Sequence, residues 1–157
     1  MAHTIISATN EDTVIIKNIV FNVLKEYGLK HDEAGKDADL NNIEANYFQS
    51  NGFFGLVIDR ETNKTVGTFG IFRLSNEVCE LRKMYLLKEA RGKGCGMMIL
   101  NFVIDMARRK NYKKITLETI GVLKEAIGLY KKYGFKEIKP EKISNRVDQA
   151  FELMIED

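Results

Sequence analysis

Glu80-Leu-Arg-Lys-Met-Tyr-Leu-Leu-Lys-Glu-Ala-Arg91-Gly-Lys-Gly-Cys-Gly96 reads as a strand, a short turn and a glycine-rich entry into a helix. Arg91, Gly92, Lys93, Gly94 and Gly96 crowd positive charge and bare backbone together. Glycine lets the backbone come close to a ligand. The apolar run from Met97 to Met106 predicts a helix, whose N-terminus offers free N–H groups and the positive end of a dipole. The combination describes an anion site, most simply for phosphate. A plain turn with solvated Arg91 and Lys93 is the other reading of these residues alone. Two phosphate motifs fail on spacing. Lys93 is followed by Gly94 rather than Ser or Thr, and the third glycine of a dinucleotide fingerprint would fall at position 97, which is Met.

Outward from this stretch, 157 residues suit one domain with one core, expected to span 1–157. A hydrophobic share of 45% is ordinary for a globular chain and argues against disorder. A formal net charge of +2 is too small to imply a nucleic-acid partner without a local patch. The basic runs Arg108-Arg109-Lys110 and Lys131-Lys132 fall where helices should end, where cations suit the dipole. Cys79 and Cys95 make no zinc or Cys-x-x-Cys spacing, and His3 and His31 lie far apart, so no metal is expected. No basic segment followed by an apolar one opens the chain, and no apolar run has the length of a membrane span. A reducing, cytoplasmic setting without a membrane partner follows as the expectation.

Residues 3–8 read as a strand around Ile5 and Ile6. Thr9 and Asn10 can cap the next helix, with Asp12 three residues after Thr9. Ile15, Ile16, Ile19, Val20, Val23, Leu24 and Tyr27 recur at helical spacing until Gly28. Residues 29–40 are polar and acidic and read as a loop, and a second, shorter helix is expected from Leu40 to Gln49. Phe53 to Asp59, Thr65 to Leu74 and Val78 to Leu87 are β-rich and joined by short polar turns, which implies an antiparallel meander. A helix from Gly92 to Lys110 buries Ile99, Phe102, Val103 and Met106. A strand at 114–119, a helix from Leu123 to Tyr133 capped by Gly134, and strands at 135–138 and 150–155 complete the chain. The one strand–helix–strand crossover makes 78–87 and 114–119 parallel neighbours flanking the glycine-rich turn. Ligands in such sheets favour the carboxyl ends of strands.

Two separated motifs give these elements an identity. Arg91-x-x-Gly94-x-Gly96 follows a strand, and Ala126-x-x-Leu129-Tyr130-x-x-x-Gly134-Phe135 follows the next strand. In this order the chain resembles the GCN5-related N-acetyltransferases over essentially its whole length. The resemblance implies a mixed α/β fold: a mostly antiparallel sheet of about seven strands, four helices and a splayed parallel strand pair at the cofactor site. It implies acetyl-CoA as donor. Its pyrophosphate would sit on the amides of Gly92, Lys93, Gly94, Cys95 and Gly96 beside Arg91, and its pantetheine would pair like an added strand with Met84, Tyr85 and Leu86. One departure is Leu123, where the family often has Asn; Glu118 and Thr119 are the nearby polar groups.

The implied chemistry sets further demands. Freeing the lone pair of an alkyl ammonium, of pKa about 10.4, costs about 4–5 kcal/mol at neutral pH. A carboxylate acting directly or through water meets part of this cost. Glu80, on the strand entering the cofactor turn, is the first candidate base and Glu118 the second; a surface pair of Glu80 with Arg82 is the alternative. Tyr130 is the candidate acid for the leaving thiolate, and Tyr133 is read as packing. Cys95 at a helix start suggests a covalent acetyl-cysteine as a minority route. Asp37, Asp39 and Tyr47 are acceptor-side candidates, with a solvated acidic loop as the other reading. The expected acceptor is a primary amine on a small molecule, attacked in a ternary complex by a monomer or homodimer. Acetylation of a protein, and an acyl-CoA-binding regulatory module without catalysis, are the competing functions.

Overall fold

The computed structural model describes residues 2–156, so Met1 and Asp157 of the expected domain lie outside the described residues. Strand β1 (His3–Ser7) leads into helix α1 (Thr13–Glu26). Thr9 Oγ1 accepts from the Glu11 amide at 3.2 Å, and Asp12 Oδ2 accepts from the Thr9 amide at 2.8 Å. This reciprocal cap, expected from Thr9 and Asp12, closes the 3-10 turn Asn10–Asp12 that runs directly into α1. Ile16, Ile19, Val20, Val23 and Leu24 form the buried stripe of α1.

The second helix is shorter than expected: one turn, α2 (Ile43–Asn46), between 3-10 turns at Ala38–Asn41 and Phe48–Ser50. Asn42 causes the break. It takes an extended φ of −151°, and its Oδ1 accepts from the Ala45 amide at 3.0 Å, so it starts a helix rather than continuing one.

Strands β2 (Phe53–Asp59), β3 (Lys64–Arg73) and β4 (Val78–Leu86) form the expected meander. Helix α3 (Cys95–Arg109) begins three residues later than expected, because Gly92 and Gly94 are left-handed at φ 71° and 82°. Strand β5 (Lys114–Thr119), helix α4 (Lys124–Lys132), and strands β6 (Lys136–Ile138) and β7 (Gln149–Met154) follow. The sheet runs β1-β2-β3-β4-β5-β7-β6, with β4 and β5 parallel and the other neighbours antiparallel. Alternating side chains supply both faces. Phe53 and Val57 of β2 join α3 and α4 on one face, while Phe54, Leu56 and Ile58 join α1 and α2 on the other.

Two irregularities open the sheet. Pairing of β4 with β5 stops after Val78–Lys114, Cys79–Ile115 and Glu80–Thr116. Beyond that point β5 stays with β7 and β4 stays with β3, so the two strands diverge. Strand β4 also carries a bulge. Gly70 faces Arg82 but Thr68 faces Tyr85, leaving an extra residue in β4, where Lys83 has φ +55°. The bulge resets the alternation: Cys79 and Leu81, then Met84 and Leu86, pack toward α3 and α4.

A left-handed lysine costs of order 1–2 kcal/mol and persists only where its surroundings hold it. Thr68 Oγ1 donates to the Lys83 carbonyl at 2.7 Å. Lys83 Nζ reaches Asp37 at 3.3 Å and Asp39 at 3.2 Å, all three side chains being nearly inaccessible. Replacing one member of a buried ion cluster strands the others. Lys83→Met is therefore expected to cost about 3–5 kcal/mol of stability in urea denaturation; a loss under about 1 kcal/mol would show that the cluster does not hold the bulge.

Candidate active site

The divergence of β4 and β5 holds two cavities that meet end to end. The first, of about 290 Å³, runs from Arg91, Gly92, Gly94 and Gly96 past Met97 and Leu129 to Tyr130. The second, of about 310 Å³, runs from Tyr130 past Glu80 and Glu118 to Lys36 and Arg146. Met84, Tyr85, Leu123 and Tyr130 line both and form the junction.

At the outer end of the first cavity the chain is built for close approach. The first bond within α3 runs from the Met98 amide to the Gly94 carbonyl at 3.0 Å, so the amides of Cys95, Gly96 and Met97 point out of the helix start. A Cβ at Gly96 would stand 2.7 Å from Leu129 Cδ2, so α3 closes on α4 only without a side chain there. Lys93 is exposed and does not line the cavity. Cys95 contributes backbone alone: its side chain is buried in the core, and burial pushes its thiol above the ordinary value. A thiol held protonated is a poor nucleophile, which disfavours the acetyl-cysteine route.

Arg91 is braced by the protein itself. Its Nε and Nη2 donate to the Leu86 carbonyl at 3.0 and 2.8 Å, and Nη1 and Nη2 donate to Glu26 at 2.5 and 2.9 Å. The brace ties the glycine turn to the end of α1 and to β4. Along β4, the edge facing β5 at Met84, Tyr85 and Leu86 lies past the last parallel pair and lines the cavity. An apolar channel with an unpaired strand edge at one end and free helix amides at the other fits a long thioester with amide groups and a diphosphate.

At the junction, Tyr130 is 6% exposed and its hydroxyl lies 3.8 Å from Met84 Sδ. Burial raises its pKa well above the usual tyrosine value, so the hydroxyl carries its proton at neutral pH. Leu123 stands at the N-cap of α4 with no side-chain hydrogen bond, so the position of the family Asn is apolar and uncapped. Thr119 is buried beside it, on the wall of the second cavity. Tyr133 donates to the Met97 carbonyl at 3.3 Å, outside both cavities.

Glu80 lines the second cavity and is ion-paired with Arg82, whose guanidinium lies 3.6 Å from the Phe72 ring centre. Glu118, about one third exposed, lies 3.9 Å from Lys36 Nζ. Asp37, Asp39 and Tyr47 sit elsewhere than expected. Asp37 is fully buried, accepting from Arg146 at 2.7 and 2.9 Å, and Asp39 lies between Lys83 and the Tyr47 hydroxyl. These groups brace the loop instead of lining the acceptor side, because a carboxylate enclosed by cations is stable where an unpaired one is not.

Sequence reading missed Lys36, Lys83 and Arg146. Lys83 had a signal: it follows Cys79 and Leu81 at the same two-residue spacing, so a charge on the core face was visible. Lys36 and Arg146 lie in polar loops and had none.

Comparisons with known proteins agree with this geometry. Residues 20–135 match the model of the Acetyltransferase (GNAT) family. An uncharacterised N-acetyltransferase of Escherichia coli (strain K12), YjgM, is 36% identical over 134 residues, covering 83% of this chain and 80% of that protein. The crystal structure of a GNAT-family acetyltransferase from Staphylococcus aureus Mu50 superposes with a TM-score of 0.90 at 29% identity, over 99% of this chain and 100% of that one. That of yncA from Salmonella typhimurium, solved with its cofactor acetyl-CoA, gives 0.79 at 19% identity over 100% and 96%. A sheet opened above a glycine-rich helix start is an acyl-CoA acyltransferase arrangement. This chain belongs to the GNAT family; it is an acetyl-CoA-dependent N-acetyltransferase that acts on an amine. Among the described residues, no group of His, Cys, Asp and Glu is placed to hold a metal ion, and no helix is long and apolar enough to cross a membrane.

The Asp37–Arg146 bridge has a pH signature. Burial pushes the Asp37 carboxyl up, but the Arg146 bonds, the Asp32 amide and Lys83 outweigh it and hold the pKa below the ordinary 3.8. Such a group stabilises the fold above its unfolded pKa, and the contribution is lost as pH falls through the folded value. Arg146→Met should cost about 3–5 kcal/mol at neutral pH, and the gap from the unmodified chain should narrow below about pH 4 in denaturation curves. A gap independent of pH would assign the loss to packing.

Proposed function

We propose that this enzyme acetylates a primary amine on a small molecule, by direct attack in a ternary complex. The observation that carries the reading is the junction: Tyr130, Met84 and Leu123 stand where the glycine-ended cavity meets the cavity holding Glu80. The amides at Gly92 to Gly96 hold the diphosphate of acetyl-CoA, with Arg91 bracing the turn and Lys93 adding charge from outside. The backbone of Met84, Tyr85 and Leu86 holds the pantetheine. When bound, acetyl-CoA supplies an acyl carbon open to attack by a neutral amine.

The remaining work falls to this chain's own side chains. Glu80 takes the proton of the entering ammonium, directly or through water, which frees the lone pair. Its pairing with Arg82 holds the carboxylate in place on the cavity wall. Tyr130 holds a proton at the junction, and its buried, protonated hydroxyl suits donation to a developing thiolate. Leu123 and Met84 keep the junction apolar, which strengthens the electrostatic effect of both groups.

Two features support a small acceptor over a protein surface. The cavity beyond Glu80 is walled by the loop after α1 and the loop before β7, both contributing side chains to one recess. Those loops are joined to each other by the buried Asp37–Arg146 bridge, which narrows the room for an extended peptide.

Release of CoA thiol from acetyl-CoA across a panel of small amines and peptides tests the reading. Turnover on small amines is expected. Tight acetyl-CoA binding with no turnover on any amine would instead make the chain a regulatory acyl-CoA-binding module. Tyr130→Phe should slow turnover with little change in acetyl-CoA binding. Glu80→Gln should lower kcat by about 10²–10⁴-fold; unchanged kcat in either variant removes that residue from the mechanism.

A further inference from the structure

Resting on the N-acetyltransferase reading above, we propose that the acceptor is an amine that also carries a carboxylate, and that Lys36 is the residue that receives the carboxylate. The second cavity opens outward into a third, of about 690 Å³, through Leu29, Lys36, Glu118 and Arg146. The charge on this outer wall is uneven. Lys30, Lys36, Lys142 and Arg146 line it, against Asp32 and Glu118. His31 is also on the wall, stacked on Phe21 at 4.1 Å and 4.0 Å from Glu33.

The carboxylates near the path are largely committed. Asp32 accepts from the amides of Gly35 and Lys36, both at 3.1 Å. Asp37 is held by Arg146 and Lys83, Asp39 by Lys83 and Tyr47, and Glu80 by Arg82. Glu118 faces Lys36 at 3.9 Å, beyond hydrogen-bond distance.

Lys36 stands at the passage between the two acceptor-side cavities, with its side chain 39% exposed. Its ammonium is partly desolvated, and Arg146 and Lys83 crowd it with like charge while Glu118 and Glu80 oppose them. Lys30 and Lys142, on the same wall, take part in no hydrogen bond or ion pair among the described residues. An anion at this passage relieves that crowding at Lys36, whose contact with Glu118 is as long as 3.9 Å, and finds Lys30 and Lys142 on the wall just beyond it. An acceptor with an amine at one end and a carboxylate at the other would place its nitrogen toward Glu80 and its anion toward Lys36. A polyamine would instead bring its second cation against three lysines.

The test pairs free L-amino acids and 4-aminobutyrate with their carboxamides and adds spermidine and short peptides, reading CoA thiol release. Carboxylated acceptors should exceed their amides in kcat/KM by about ten- to a hundredfold, the worth of one charge-assisted hydrogen bond. Lys36→Gln should raise KM for the carboxylated acceptor by a similar factor, erase the preference over the amide, and leave KM for acetyl-CoA unchanged. Calorimetric titration of CoA-loaded protein with an N-acetyl amino acid and with its amide gives a readout independent of turnover, and the acid should bind more tightly in the unmodified chain only. Turnover that favours amides or spermidine overturns the carboxylate assignment and leaves amine acetylation standing. Peptides outperforming every free amino acid overturn the small acceptor. Acetyl-CoA binding without turnover on any acceptor overturns the catalytic reading itself, which separates that failure from this one.

Discussion

Everything at this site depends on where two parallel strands stop pairing. β4 and β5 share three residue pairs and then separate, β5 held by β7 along its whole length and β4 held by β3. Buried backbone amides and carbonyls without partners are costly, so a gap of this kind survives in a sheet only where solvent or a ligand can supply them. The cavities, the junction at Tyr130 and the outer passage at Lys36 all follow from the gap. The glycine turn lies at the mouth of the gap because α3 is the crossover between these two strands.

The bulge at Lys83 sets what the gap presents. One extra residue shifts Met84 and Leu86 onto the face of α3 and α4, and sends the Lys83 ammonium to Asp37 and Asp39. Left-handed backbone, a desolvated ammonium and two desolvated carboxylates each oppose folding. Their combination is tolerated because the charges neutralise one another at 3.2–3.3 Å and Arg146 completes the set. A hydrophobic replacement of the whole cluster could match its stability, but it would not specify where the loops sit.

The donor side of this arrangement was legible in the sequence because it is local. Arg91 to Gly96 and Ala126 to Phe135 are each contiguous; spacing alone leaves an anion site or a plain turn at the first, and the two motifs together carry the family resemblance that implies the donor. The meander and the stripes of α1 and α3 were legible for the same reason: hydrophobic period follows burial. The turn α2 was misjudged because one Asn capping its own helix outweighs the apolar pattern around it. The acceptor side was not legible because its defining bridge joins Asp37 and Arg146, 109 positions apart, in loops whose polar residues look like ordinary solvated surface. The acidic loop even suggested the opposite electrostatics, but two of its carboxylates, Asp37 and Asp39, are turned inward onto Lys83 and Arg146.

The Asp37–Lys83–Arg146 cluster also divides the acceptor wall into parts that can and cannot change. Asp37, Lys83 and Arg146 come from two loops and a strand, and altering any one of them leaves an uncompensated charge in the interior. Neither loop is therefore a portable module: transplanting one onto another scaffold without its counterpart carries half a buried salt bridge with it. Lys30, His31 and Lys142 stand on the same wall outside that bond and are free to vary one at a time. New acceptors are open to this scaffold through its rim, while the frame behind the rim is inherited as a unit.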